Sequence, residues 1–116
     1  MNSVQLVGRL TADPEVRMTG TNQDIPFASF TLAVDREYAN RNDPNAQTAD
    51  FIRCVAGGKT ADFVGKYFAK GNRIGLNGRI QTGSYTNKDG QKVYTTDVRV
   101  DKVEFVESKK VSGETV

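Results

Sequence analysis

Apolar and polar residues alternate along most of this chain, and the alternation gives way to a helical period in only one place, residues 60–71. There, in "TADFVGKYFAKG", Phe63, Val64, Tyr67 and Phe68 fall at i, i+1, i+4 and i+5 and make one apolar stripe. Thr60 is placed to cap the start, Asp62 to sit in the first turn, and Lys70-Gly71 to stop the helix. Three strand-like runs precede it, over residues 4–10, 25–36 and 51–56, and two follow, over 72–85 and 92–106. Residues 11–24 carry turn chemistry (Asp13-Pro14, Gly20, Asn22), and residues 37–50 form a polar loop around Pro44. In the last run Val98 and Val100 share one parity while Val103 and Phe105 share the other, which calls for a bulge near Asp101-Lys102.

Three strands, a helix and a closing pair of strands is the order of an all-β, five-stranded OB-fold Greek-key barrel, with its one α-helix between strands three and four. Glycines at 8, 71, 75, 78 and 83 suit its bends and tight crossings. A chain of 116 residues has room for a single modest core. That domain is expected over residues 1–107, with 108–116 a disordered tail lacking any periodicity. The opening "MNSVQLVGRL" enters a strand pattern at once and leaves no room for a signal peptide. No apolar run reaches the roughly 20 residues that a membrane-spanning helix needs.

The residue types absent remove whole classes of chemistry. There is no histidine and a single cysteine, so zinc sites, Ser-His-Asp triads, Cys-His nucleophiles and intrachain disulfides drop out, and no cofactor is called for. Cys54 reads as small buried filler in a strand and fits a reducing cytosol. "GGKT" (57–60) follows a strand and opens the helix, but a phosphate-binding Walker loop needs a glycine five residues before Gly58, where Arg53 stands. Lys59 is then a cation near a helix start, available to a phosphate. The acidic pairs Asp13/Glu15 and Asp35/Glu37 lie in or beside turns with basic neighbours and read as solvated carboxylates. Sixteen Lys and Arg against fourteen Asp and Glu leave a net charge of only +2, so an anionic partner requires the cations to be segregated on one surface.

The informative residues are aromatic and basic. In "GRIQTGSYTNKDGQKVYTT" (78–96) two alternating runs flank the polar turn 87–91, the pattern of a β-hairpin. Ile74, Leu76 and Ile80 share a parity expected to face the core. Tyr85 has the opposite parity, with Arg73, Arg79 and Gln81, so its ring belongs on the charged outer side. On strand three Phe51 and Arg53 share the face opposite Ile52 and Cys54. Tyr38 stands at the end of strand two near Arg36. Exposed rings with arginines between them are what single-stranded nucleic acid binding requires: rings stack on bases and cations track phosphates.

The segments "MNSVQLVGRL", "DPEVR", "FASFTLAVDR", "ADFIRCVAGGK", "KYFAKGNRIGLNGRIQTGSYTNKDGQKVYTT" and "VEFVE" resemble, in order and spacing, the DNA-binding domain of bacterial and phage single-stranded DNA-binding proteins. The resemblance implies an OB-fold, assembled as a homotetramer in the cytoplasm, that holds and protects single-stranded DNA without sequence preference in replication, recombination and repair, and that is not an enzyme. Its stacking aromatics fall on Tyr38, Phe51 and Tyr85. The phosphate contacts expected are Arg36, Arg53, Lys59, Lys70, Arg73, Arg79 and Lys88. Three features depart from the family pattern. Gly57 stands where relatives often carry an aromatic; Thr82-Gly83-Ser84 replaces a segment that can be strongly basic; and the sequence ends "SGETV", with neither the glycine- and glutamine-rich linker nor the acidic tip that recruits partner proteins. The resemblance therefore leaves the recruitment of repair and replication proteins open. Two other readings remain open: an OB-fold protein-interaction module of a primosome-like complex, and, disfavoured by the missing histidines, a metal-dependent nuclease.

Overall fold

The computed structural model describes residues 1–36, 45 and 47–106. Six strands and one helix follow in the order β1 (Val4–Leu10), β2 (Glu15–Thr19), β3 (Ile25–Asp35), β4 (Ala49–Gly57), α1 (Gly58–Tyr67), β5 (Arg73–Thr86) and β6 (Lys92–Phe105). The sheet runs β1-β5-β6-β4-β3-β2, and an extra β1–β3 pairing at Arg9↔Ala33 and Leu10↔Leu32 closes it into a barrel. Among the described residues only the short β4–β6 contact is parallel, at Cys54↔Val98 and Val55↔Arg99. This is the OB-fold barrel expected of the sequence, with one strand more. No helix among the described residues is long and apolar enough to cross a membrane. The tail expected over 108–116 lies outside the described residues.

Inward parity fills the barrel with Leu10, Phe30, Leu32, Cys54, Ile74, Leu76, Val98 and Val100. Ala61, Val64 and Phe68 of the α1 segment cover one end, where Phe68 stacks on Phe105 at 4.8 Å between centroids. The expected bulge is present. Asn77 pairs with Lys102 but Gly78 pairs with Val100, so Asp101 has no opposite residue in the β5 ladder and β6 changes face there. Gly78 permits that crossing, because a Cβ on it would collide with the Arg99 carbonyl.

Four expectations are corrected. Residues 15–19 form β2, not a turn. Val16 and Met18 alternate with Arg17, and the strand is held at the sheet edge by its ladder to β3 from Glu15↔Ser29 to Thr19↔Ile25. The helix starts and ends earlier than 60–71. Gly58 turns the chain with φ +64°, a region favouring glycine, so α1 follows β4 without a linker and Gly57, not Thr60, is the N-cap. Asp62 consequently lies past the first turn and pairs with Lys66 at 3.3 Å, one turn on. At the other end the Phe68 N–H closes the helix on the Val64 carbonyl, while Gly71 serves the turn into β5, donating its N–H to the Leu10 carbonyl at 2.9 Å. Finally, Ile80 is 48% exposed. Its parity is inward and its cross-strand partner Val98 is buried, but Ile80 stands at the rim where the 14-residue β5 leaves the barrel, so the core covers it only in part.

The candidate nucleic-acid interface

Beyond the barrel, β5 and β6 continue as a two-stranded arm paired from Gln81↔Asp97 to Thr86↔Lys92. Asn87 organises its tip: the Asn87 Oδ1 accepts the N–H groups of Asp89 and Gln91 at 3.0 and 2.9 Å. At the arm's base, Asn2 exchanges two 2.8 Å hydrogen bonds with the Ile80 backbone, in place of a further strand.

Register carries one outer face across four strands. Thr31↔Arg53 and Ala33↔Phe51 link β3 to β4, Val55↔Arg99 links β4 to β6, and Gln81↔Asp97 and Tyr85↔Val93 link β6 to β5. Phe51, 65% exposed, and Tyr85, 57% exposed, both lie on this face, as their parity implied. Each ring stands opposite a residue too small to cover it, Ala33 for Phe51 and Val93 for Tyr85. Tyr38 lies outside the described residues.

The cations divide into two groups. Arg53 reaches Asp97 at 3.4 Å and Arg79 reaches Asp101 at 3.2 Å, both across strands of this face. At the end of β3, Arg36 directs Nε and Nη2 onto Asp50 Oδ1 at 3.0 and 2.8 Å, and this hydrogen bonding raises its already high pKa. Lys59, Lys70, Arg73 and Lys88 are elsewhere. Lys59 is exposed on the first turn of α1, and Lys88 is at the arm's tip. Lys70 sits in the turn where its N–H donates to Asp13, and Arg73 pairs with Arg9 at the end of β5 remote from the arm. Six residues separate Arg73 from Arg79, about 20 Å of strand.

An open groove of about 210 Å³ runs across the face between Phe27 and Val55 on one side and Gly83 and Thr95 on the other, with Arg53 and Arg99 along it. Two of these side chains, Phe27 and Arg99, are not among the site residues expected from the sequence. The Arg99 guanidinium lies over the Phe27 ring, 5.9 Å from its centroid. Strand parity held the signal: Arg99 is the polar residue between inward Val98 and Val100, and Phe27 is the outward partner of Phe30. On the opposite side of the arm Tyr94 is 74% exposed, with the Lys92 ammonium 5.4 Å from its ring.

Beneath this face Cys54 is fully buried, and its thiol is pushed up to about 12, first by burial and then by the nearby Asp97 carboxylate. It is core filler with no thiolate to offer. Among the described residues no three His, Cys, Asp or Glu side chains gather as metal ligands.

Residues 1–106 match the model of the Single-strand binding protein family. The chain is 50% identical over 115 residues to the single-stranded DNA-binding protein of Fusobacterium nucleatum, an alignment spanning 99% of this chain and 73% of that one. It is 46% identical over 98% of its length to single-stranded DNA-binding protein 1 of Lactococcus lactis, covering 73% of that protein. With the single-stranded DNA-binding protein of Bacillus cereus it shares 45% identity, over 98% of this chain and 65% of the relative. With its barrel, its projecting arm and a match over nearly its whole length, this chain belongs to the single-strand binding protein family.

Proposed function

We propose that the chain binds single-stranded DNA without catalysis and without sequence preference, protecting it during replication, recombination and repair in the cytoplasm. The observation that carries this reading is the placing of Phe51 and Tyr85 on one arginine-bearing face, each ring more than half exposed. Bases stack on Tyr38, Phe51 and Tyr85. Arg36, Arg53 and Arg79 hold phosphates near them, and Lys59, Lys70, Arg73 and Lys88 guide the strand beyond. Duplex DNA hides its base faces and binds weakly.

Titration with oligo(dT) and with a hairpin duplex tests this, using tyrosine emission, since the chain has no tryptophan. Binding to the single strand should be length-dependent and much the tighter. Its log affinity should fall with log salt by about 0.7 for each phosphate neutralised. Equal affinity for duplex, or no salt dependence, refutes the reading and favours the protein-interaction module.

A homotetramer is proposed as the working form. It is supported by a second open groove, about 620 Å³, on the β1–β5–β6 side, lined in part by Leu6, Val7, Val103 and Val106, with Val7 and Val106 more than 40% exposed. Light scattering that gives a monomer at micromolar concentration excludes it.

A further inference from the structure

We propose that Arg99 is a base-stacking platform at the centre of the DNA face: its guanidinium, backed by the Phe27 ring and admitted by Gly57, takes one nucleobase of the single strand in the groove. The inference rests on the DNA-binding reading of this face. Three observations converge on it. Arg36, Arg53 and Arg79 each have an acidic partner, whereas Arg99 has none among the described residues. It also occupies β6, which lies between β4 and the arm strand β5, midway between the elements carrying Phe51 and Tyr85. Second, the guanidinium is held over Phe27. A planar cation stacks on aromatic faces and is weakly hydrated, so with a ring behind it the group is already oriented when a base arrives. Third, a Cβ on Gly57 would stand 3.1 Å from Arg99 Nη2, tight enough to move it. Gly57 has φ −127° and ψ 162°, extended backbone that any residue adopts. The missing side chain therefore makes room for the guanidinium and not for a special backbone. The groove it lines, about 210 Å³ and open to solvent, is more than a lone ion needs and lets a flat heterocycle lie against the guanidinium.

A stacking guanidinium and a point charge for phosphate are separated by Arg99→Lys, which keeps the charge and loses the plane. With oligo(dT), Arg99→Lys should lose at least about fivefold in affinity with an unchanged salt slope. On an oligonucleotide of the same length with abasic sites, the wild type and Arg99→Lys should bind alike, since no base remains to stack. Phe27→Leu, which removes the backing ring, should lose affinity in the same base-dependent way. Melting curves of both variants, within a few degrees of wild type, show that the barrel is intact. If Arg99→Lys binds oligo(dT) like wild type, or loses as much on the abasic strand, the platform is refuted and Arg99 is at most a phosphate contact. Phe51→Ala run in parallel distinguishes the two levels. A loss there beside an unaffected Arg99→Lys overturns this inference alone, whereas no loss in either overturns the assignment of the face.

Discussion

The competition between position 57 and Arg99 for the same space gives a sharp test, a double-mutant cycle of Gly57→Trp and Arg99→Gln. The backbone at Gly57 is extended, and the positive φ belongs to Gly58, so tryptophan at 57 adds no backbone strain. Losing a glycine N-cap costs about 0.5–1 kcal/mol, and removing a glycine from the unfolded chain returns about 0.4–1 kcal/mol. Melting should then shift by no more than a few degrees. The new Cβ would lie 3.1 Å from Arg99 Nη2, which must give by a few tenths of an ångström, and the indole beyond that Cβ competes with the guanidinium for the space over Phe27. In the native background the indole adds one stacking platform, about 1–3 kcal/mol, while displacing another, and affinity for oligo(dT) changes little. In the Arg99→Gln background nothing is displaced and Gly57→Trp should recover that full 1–3 kcal/mol. The coupling energy between the two sites should thus exceed about 1 kcal/mol, well outside the error of independent sites. Equal tightening in both backgrounds refutes the shared-space argument. A loss of stability above about 3 kcal/mol in both means that glycine is required for its backbone after all.

Phe51→Ala and Tyr85→Ala should each weaken oligo(dT) binding by about 1–3 kcal/mol and leave melting nearly unchanged, because both rings are mostly exposed; unfolding by either substitution would move that ring into the core. Gly78→Ala should destabilise by about 1–3 kcal/mol or more in denaturant titration, since its Cβ meets the Arg99 carbonyl across a backbone crossing that cannot yield; a neutral result means the bulge relaxes freely. Cys54, with its thiol near 12 when folded and about 9 otherwise, contributes stability that is complete below pH 9 and is lost as pH rises from 9 through 12. Native protein should therefore resist iodoacetamide at pH 8 and react once denatured, and Cys54→Ala should flatten the alkaline slope; fast labelling of the native form would contradict the burial.

Parity was the most productive signal in the sequence, and its failures share one cause. It fixes which side of a strand a residue occupies, and Phe51, Arg53, Tyr85 and the bulge at Asp101 follow from it directly. It says nothing of what lies on that side. Ile80 faces inward beside buried Val98, but at the rim where the barrel ends. Val16 and Met18 alternate as any strand would, but with five residues between Pro14 and Gly20 the segment depends on its ladder to β3, and no local preference announces that. The early helix start follows from a left-handed Gly58 that composition cannot distinguish from Gly57. Nothing local to Arg99 marks it among the arginines of the strands. Its significance comes from Phe27, 72 residues earlier, and from Gly57 on a third strand, neighbours that only the closed barrel brings together.

The ion pairs explain how a chain of net charge +2 presents a face for a polyanion. Arg53 and Arg79 lie against Asp97 and Asp101, all within one face, so the acids cancel charge where the DNA is expected. Arg53 and both members of the Arg79 pair are more than half exposed. Exposed pairs contribute only about 0–1 kcal/mol, so a phosphate can displace or share such a guanidinium at little cost, and the acid meanwhile holds the arginine extended across the strands. Asp97 is the better-covered acid, at 23% exposure, and so the one whose charge is least screened. Asp97→Asn keeps the shape, frees Arg53 and removes a negative charge from the groove floor beside Arg99. Affinity for oligo(dT) should rise a few-fold at low salt, and the gain should shrink towards 1 M, where the screening length is about 3 Å. The same substitution should ease the Cys54 thiol down from about 12 without restoring an ordinary value, because burial is the larger cause. Weaker binding in Asp97→Asn would mean that the carboxylate's role in fixing Arg53 outweighs its repulsion of phosphate, and the exposed-pair argument would fail. An unchanged Cys54 titration beside a gain in affinity would leave the groove electrostatics standing and remove only the link from Asp97 to the core.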